Sequence, residues 1–233
     1  MQIQNATVLI TGANRGIGLA FAREALARGA RRVYAASRQL GAVTLPGVTP
    51  LPLDVTDPEQ VARAVREAGD VTLLINNAGV AETGGFLADT TLESTRRQLE
   101  VNFFGMLRMS QAFAPVLAAH GGGALLNVLS IASWINRPLL GTYGATKSAA
   151  WALTNGLRHE LRAQGTQVTA LHMGFVDTAL THGIDAPKST PEAIVARAFD
   201  GLEAGADEVL ADALTQQVKA SLSSATPAYL AAA

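Results

Sequence analysis

The sequence predicts an α/β fold in which a parallel sheet of about seven strands is doubly wound, with helices on both faces. Two observations carry this. Short β-branched or apolar runs alternate with alanine-rich helical patterns along the whole chain, as in parallel sheets buried on both faces. The first strand also runs straight into a glycine loop followed by a helical pattern. Strands are expected at residues 6–11 (ATVLIT), 32–37, 49–53, 71–76, 124–129, 167–172 and 208–211. The third carries two prolines, which make it the weakest of the candidates. Helices are expected at 16–30, 58–68, 91–119, 143–163 and 191–203. Two of them announce their starts. Asp57-Pro58-Glu59 and Thr190-Pro191-Glu192 each read as an N-cap, a proline in the first turn and an acidic residue beside it. Residues 38–49 are too few for a full helix and its loops, so a compact crossover is expected there. Stretches 183–191 and 221–233 have the composition of loops.

The 233 residues fit one large α/β unit, and without a repeat or linker the whole chain, 1–233, is read as one domain. Apolar residues make up 48% and charged residues 16%, against about 25% charged in ordinary soluble domains. Eighteen basic and nineteen acidic residues give a net charge of −1, with no basic footprint for nucleic acid or an anionic membrane. The expected partner is a small molecule. No cysteine is present, which excludes disulfides, thiol nucleophiles and thiolate metal sites. No apolar run approaches the ~20 residues of a membrane span, and residues 1–6 lack a leader pattern. The cytoplasm is the expected compartment. The four histidines lack metal-ligand spacing, so no metal is expected.

The glycine loop reads Thr11-Gly12-Ala13-Asn14-Arg15-Gly16-Ile17-Gly18. Glycines there let the chain turn sharply and bring a pyrophosphate onto backbone N–H groups at the positive end of the next helix. The spacing is neither that of a P-loop nor the usual dinucleotide fingerprint. Strand, loop and helix together make a Rossmann-type nucleotide cradle, with packing alone as the plainer alternative. At the end of the second strand, where a carboxylate would read the ribose 2′-hydroxyl of NAD, the chain has Ser37-Arg38. A hydroxyl and a guanidinium suit a 2′-phosphate, with Arg15 as a second cation, so the expected cofactor is NADP(H). Asp54, before Val55, is placed to accept from an adenine amino group, or else to cap its own loop.

Tyr143 and Lys147 stand four apart near a helix start and so share a face. A phenol is a poor acid or base at its ordinary pKa of about 10, and a nearby ammonium lowers it. Ser130, at the end of the fifth strand, comes from the sheet edge where ligands bind in such folds. It can hydrogen-bond a substrate oxygen.

These elements together resemble the short-chain dehydrogenase/reductase family, in its compact single-domain branch, from about Thr7 to Thr178. The matching residues are the loop 11–18, Asn76-Asn77-Ala78-Gly79 after the fourth strand, Asn102, Ser130, and Tyr143-Gly144-Ala145-Thr146-Lys147. The resemblance implies a catalytic set of Asn102, Ser130, Tyr143 and Lys147, with Asn102 holding a water between the lysine and solvent. It implies cofactor contacts at Gly12, Asn14, Arg15, Gly16, Ile17, Gly18, Ser37, Arg38, Asp54, Val55, Asn76, Ala78, Gly79, Tyr143, Lys147, Gly174, Val176 and Thr178. The Asn76–Asn77 stretch would mainly brace the central sheet. Met173 stands where the family usually has proline before Gly174, which puts the rigidity of that turn in doubt. Residues 178–191 would form a short lid. The resemblance also implies a homodimer or homotetramer.

The expected activity is NADPH-dependent, reversible hydride transfer between nicotinamide C4 and a carbonyl or secondary alcohol, of the carbonyl-reductase kind. Candidate pocket residues Ile131, Trp134, Ile135, Leu139, Leu140, Phe175 and Leu180 favour a hydrophobic ketone or aldehyde. The alternative is a non-catalytic NADPH-binding sensor on the same fold. An epimerase of the extended branch needs a C-terminal domain for which the 55 residues after Thr178 are too few.

Overall fold

A computed structural model describes residues 1–88 and 91–230. Its centre is a seven-stranded, wholly parallel sheet in the order β3-β2-β1-β4-β5-β6-β7. The strands are β1 (Thr7–Thr11), β2 (Arg32–Ser37), β3 (Thr49–Pro52), β4 (Leu73–Asn76), β5 (Ala124–Val128), β6 (Gln167–His172) and β7 (Glu208–Leu210). The strand order reverses between β1 and β4, which opens a crevice at their carboxyl ends. The prolines of β3 sit on the edge strand, where a missing N–H breaks no inner ladder. Between β2 and β3 the chain makes only a 3₁₀ turn, Leu40–Ala42.

Alternation along β1 divides the core. Val8 and Ile10 face α1 (Gly16–Ala27) and α6 (Pro191–Glu203), whose Phe21 and Phe199 rings meet edge-on at 5.3 Å. Leu9 faces α2 (Pro58–Glu67), α4 (Met106–Ala119) and α5 (Gly141–Glu160) through Val61, Phe113 and Leu157. The two expected caps are present: Asp57 accepts from Glu59 and Gln60 N–H, and Thr190 from Ala193 N–H.

Three elements depart from the sequence reading. The helix expected at 91–119 is α3 (Thr91–Leu99), a π-helical stretch (Glu100–Gly105) and then α4. At Gly105 it passes so close to the β3–α2 loop that a Cβ would lie 2.6 Å from Val55. An additional helix, α7 (Ala213–Ser221), begins at Asp212, whose carboxylate caps Thr215 N–H at 2.8 Å. The stretch 183–191 is tied down at Ser189, which exchanges backbone bonds with Phe175 and Asp177. Of the expected loop 221–233, the last three residues lie outside the described ones; residues Ala228–Leu230 form a 3₁₀ turn. No helix among the described residues is long and apolar enough to cross a membrane.

Candidate active site

One cleft of about 1030 Å³ crosses the carboxyl ends of the strands. At one end lie Gly12, Asn14, Arg15, Gly16, Ile17, Gly18, Ser37, Arg38, Asp54, Val55, Ala78 and Gly79, all on its wall as expected. The glycine loop is wired to the segment after β4. Thr11 Oγ1 accepts from Asn77 and Ala78 N–H at 3.0 and 2.9 Å, and Asn77 Nδ2 donates to Thr11 and Gly12 carbonyls at 2.9 and 3.2 Å. Gly12 and Gly16 hold left-handed φ angles of 67° and 52°, and a Cβ at Gly18 would lie 2.2 Å from Gly12 O. The close turn therefore requires glycine at these places. Helix α1 has no acidic residue in its first turn and no side-chain cap, so its first N–H groups are free for an anion.

Arg15 and Arg38 are exposed beside this cradle. Among the described residues neither guanidinium has an ion-pair or hydrogen-bond partner, whereas Arg28, Arg97, Arg108 and Arg158 are all paired. Ser37 is less available than its type suggested, because its hydroxyl donates to Gln39 O at 2.7 Å. Asp54 Oδ1 takes both the N–H and hydroxyl of Thr56, which makes it a cap of its own loop on the cleft wall. Asn76 corrects the sequence reading: it is not on the cleft wall. It is 3% exposed and its amide bonds Ser110 and Asn127 in the interior. Strand alternation turns Asn76 inward, and it is Asn77 that grips the loop.

At the other end Ser130, Tyr143 and Lys147 share the wall with Gly174, Val176 and Thr178. Ser130 follows β5 and opens a 3₁₀ turn, Ile131–Ser133, its Oγ accepting from Ala132 N–H at 3.1 Å. Its hydroxyl stands close enough to the Tyr143 phenol to act on its proton affinity. Burial pushes the Tyr143 phenol up to about 12, opposed by Ser130. The expected lowering by the lysine is absent: burial and Ser130 alone act on the phenol. Lys147 Nζ lies 5.7 Å from the tyrosine ring centre and donates to Val128 O at 2.8 Å. The phenol is thus in its acid form at neutral pH.

Asn102 stands behind this wall, not on it. Its Oδ1 accepts from Val80 N–H, and its Nδ2 donates to Val80 O and Thr146 Oγ1, each at 2.9 Å. The side chain clamps the segment after β4 to α5. One turn earlier Gln98, which sequence reasoning missed, makes the parallel contact to Thr142 Oγ1 at 2.7 Å. Two amides four apart thus grip two threonines four apart, next to Tyr143 and Lys147.

Ile131, Ile135, Leu139, Leu140, Phe175 and Leu180 line the substrate end as expected. Trp134 does not: the 3₁₀ turn carries it back under Ser130, against His172. Leu214 and Val218 of α7 complete the wall with Ile184 and Ala228. Their signal in the sequence is an Asp212 cap followed by apolar residues four apart. Met173 lines the cleft while packing in the core. The turn that loses its proline is secured instead by Asp212 Oδ2, which accepts Gly174 N–H at 2.7 Å.

Burial pushes Lys147 down to about 8, from 10.5. An unfolded chain therefore binds more protons than the folded one between those values, and stability rises with pH across that window. Below it the buried ammonium carries its full desolvation cost. Lys147→Met is expected to raise the melting temperature at pH 7 by about 2–6 °C, the lost bond to Val128 offsetting part of the gain. The gain should disappear above the unfolded pKa of 10.5. Thermal melts at both pH values check it, and an unchanged or lower melting temperature at pH 7 would refute it.

A family model described as short chain dehydrogenase matches residues 6–189. Sorbitol dehydrogenase of Cereibacter sphaeroides is 36% identical over 196 residues, 80% of this chain and 76% of that protein. The 1-deoxy-11-beta-hydroxypentalenate dehydrogenase of Streptomyces exfoliatus is 34% identical over 202 residues, 81% of this chain and 74% of that one. A short chain dehydrogenase of Burkholderia cenocepacia J2315, solved in complex with NADP, superimposes with a TM-score of 0.93 at 39% identity, covering 97% of this chain and 95% of its own.

Proposed function

Since the chain belongs to the short-chain dehydrogenase family, we propose that it is an NADP(H)-dependent oxidoreductase interconverting a hydrophobic ketone or aldehyde and its alcohol. The observation that carries this is the Ser130 hydroxyl and the half-buried Tyr143 phenol set together on one wall, at the apolar end of a cleft whose other end is a phosphate cradle. The residues fit the cofactor: the glycine turn leaves room for a pyrophosphate, and two unpaired guanidiniums suit a 2′-phosphate. The NADP complex of the Burkholderia relative supports the same choice. When bound, the nicotinamide supplies the hydride at its C4.

The chain's own residues do the rest. Tyr143 gives its proton to the carbonyl oxygen, and the Ser130 hydroxyl holds that oxygen and stabilises its developing charge. Lys147 would hold the nicotinamide ribose hydroxyls. A phenol kept in its acid form by burial favours the reducing direction at neutral pH. Polyols such as those named for the sorbitol relative fit less well here, because leucine, isoleucine and phenylalanine make up most of the wall at that end. We read the chain as one catalytic unit built on its single sheet, and as a homo-oligomer in the manner of the family.

The test is a titration with NADPH and with NADH, followed by nicotinamide absorbance against hydrophobic ketones, aldehydes and polyols. Tight NADPH binding with ketone-dependent oxidation is expected. Better turnover of polyols would overturn the substrate class, and tight binding without turnover on any of them would point to the sensor.

A further inference from the structure

His172, the last residue of β6, is 0% exposed and does not line the cleft. Its Nδ1 lies 3.1 Å from the Ser130 carbonyl oxygen. A carbonyl only accepts, so Nδ1 carries a proton. Burial pushes the imidazole down to about 4, so the ring is neutral and Nε2 is bare. That nitrogen has no hydrogen-bond partner and faces Glu208 Oε1 at 3.8 Å.

The ring is fixed on its other sides. Trp134 stacks on it at 4.0 Å, and the Lys219 ammonium sits 4.7 Å over Trp134. Lys219 is paired with Glu208 at 2.7 Å, and Glu208 also accepts from Trp151 Nε1 at 3.3 Å. The charged groups facing the imidazole are therefore Glu208 from β7, Lys219 from α7 and Lys147 from α5.

We propose that His172 is a positioning residue for the hydride-transfer site: its Nδ1–H holds the Ser130 carbonyl and so aims the Ser130 hydroxyl at Tyr143. This rests on the roles given above to Ser130 and Tyr143. The Ser130 carbonyl receives two donors, His172 Nδ1 and Ser133 N–H at 3.0 Å. The flanking residues are pinned as well, Leu129 N–H to Leu171 O and Ile131 N–H to Met173 O, both at 2.8 Å. With its Oγ accepting from Ala132 N–H, Ser130 has its own hydroxyl proton left for the phenol oxygen. A space-filling side chain at 172 would keep the core filled while freeing that carbonyl.

The experiment compares His172→Leu, which keeps bulk and loses the donor, with His172→Asn, whose amide N–H can stand in for Nδ1–H. Three readouts are taken on the whole protein: NADPH binding, kcat on an accepted ketone, and KM for that ketone. In His172→Leu, kcat is expected to fall about tenfold or more with NADPH affinity unchanged, as a misaimed group costs rate without binding. KM for the ketone should change far less than kcat, since His172 does not line the cleft that binds it. His172→Asn should restore much of the lost rate. In a Ser130→Ala background the same His172 changes should add nothing further.

A parent kcat in His172→Leu, or a loss carried by KM alone, would overturn the proposal. So would equal, additive losses in the Ser130→Ala background, or variants that both fail to fold, because each assigns His172 to packing alone. A parent without turnover on any carbonyl brings down the proposed function itself. An active parent indifferent to His172 brings down only this inference.

Discussion

Tyr143→Phe is expected to cut carbonyl-dependent NADPH oxidation about a thousandfold, the usual contribution of a positioned general acid, while NADPH affinity stays within a few fold. The ring fills the same space, so only the hydroxyl is lost. That hydroxyl is the acid set beside Ser130: the serine alcohol is far less acidic than a phenol, and the Lys147 ammonium is tied back to Val128 O. The reading of the phenol as acid also sets the pH response. With burial holding it near 12, reduction should not lose its proton donor through the neutral and mildly alkaline range, and alcohol oxidation should climb with pH. Steady-state rates in both directions, beside NADPH titrations by fluorescence, give the result. Turnover untouched by Tyr143→Phe would remove the phenol from the chemistry.

Arg38→Asp is the second large effect. A guanidinium on a phosphate makes charge-assisted bonds worth about 1.5–3 kcal/mol, and an aspartate in its place adds repulsion. NADPH affinity should fall about a hundredfold or more. NADH should hold or gain, because a carboxylate at the end of β2 can accept from a ribose 2′-hydroxyl. The NADPH preference of the parent should also weaken with added salt, as the two arginines are exposed. Equal losses for both dinucleotides, measured by titration, would mean the 2′-phosphate is not read there.

The strands and crossovers were legible because parallel strands buried on both faces leave continuous apolar runs, and because proline-marked caps fix two helix starts. The cradle and the Ser130, Tyr143 and Lys147 set were legible because their chemistry needs particular residue types at sheet ends. Other features were hidden for identifiable reasons. A π-helical stretch has no 3.6-residue signature, so 91–119 read as one helix. Helix α7 is nine residues long with polar Thr215, Gln216 and Gln217 in its middle, so its apolar pair did not stand out. Asn76 and Asn77 differ by one position in a strand, and only the register decides which faces the interior. Trp134 follows a 3₁₀ turn, which reverses its direction.

The amide–threonine ladder has a consequence for how this protein can change. Tyr143 and Lys147 ride on α5, which is held to α3 and the π-helical stretch by Gln98 on Thr142 and Asn102 on Thr146, and to β5 by Asn127 on Thr154. Each contact lies in the dry interior, where a slip would leave amides unpaired. Thr154 is seven residues past Lys147, about 10 Å along the helix axis. The reach of the phenol toward a substrate is therefore decided by polar side chains that no substrate touches. Drift in the cleft wall can alter which carbonyl is accepted while the geometry of proton transfer is kept constant from beneath.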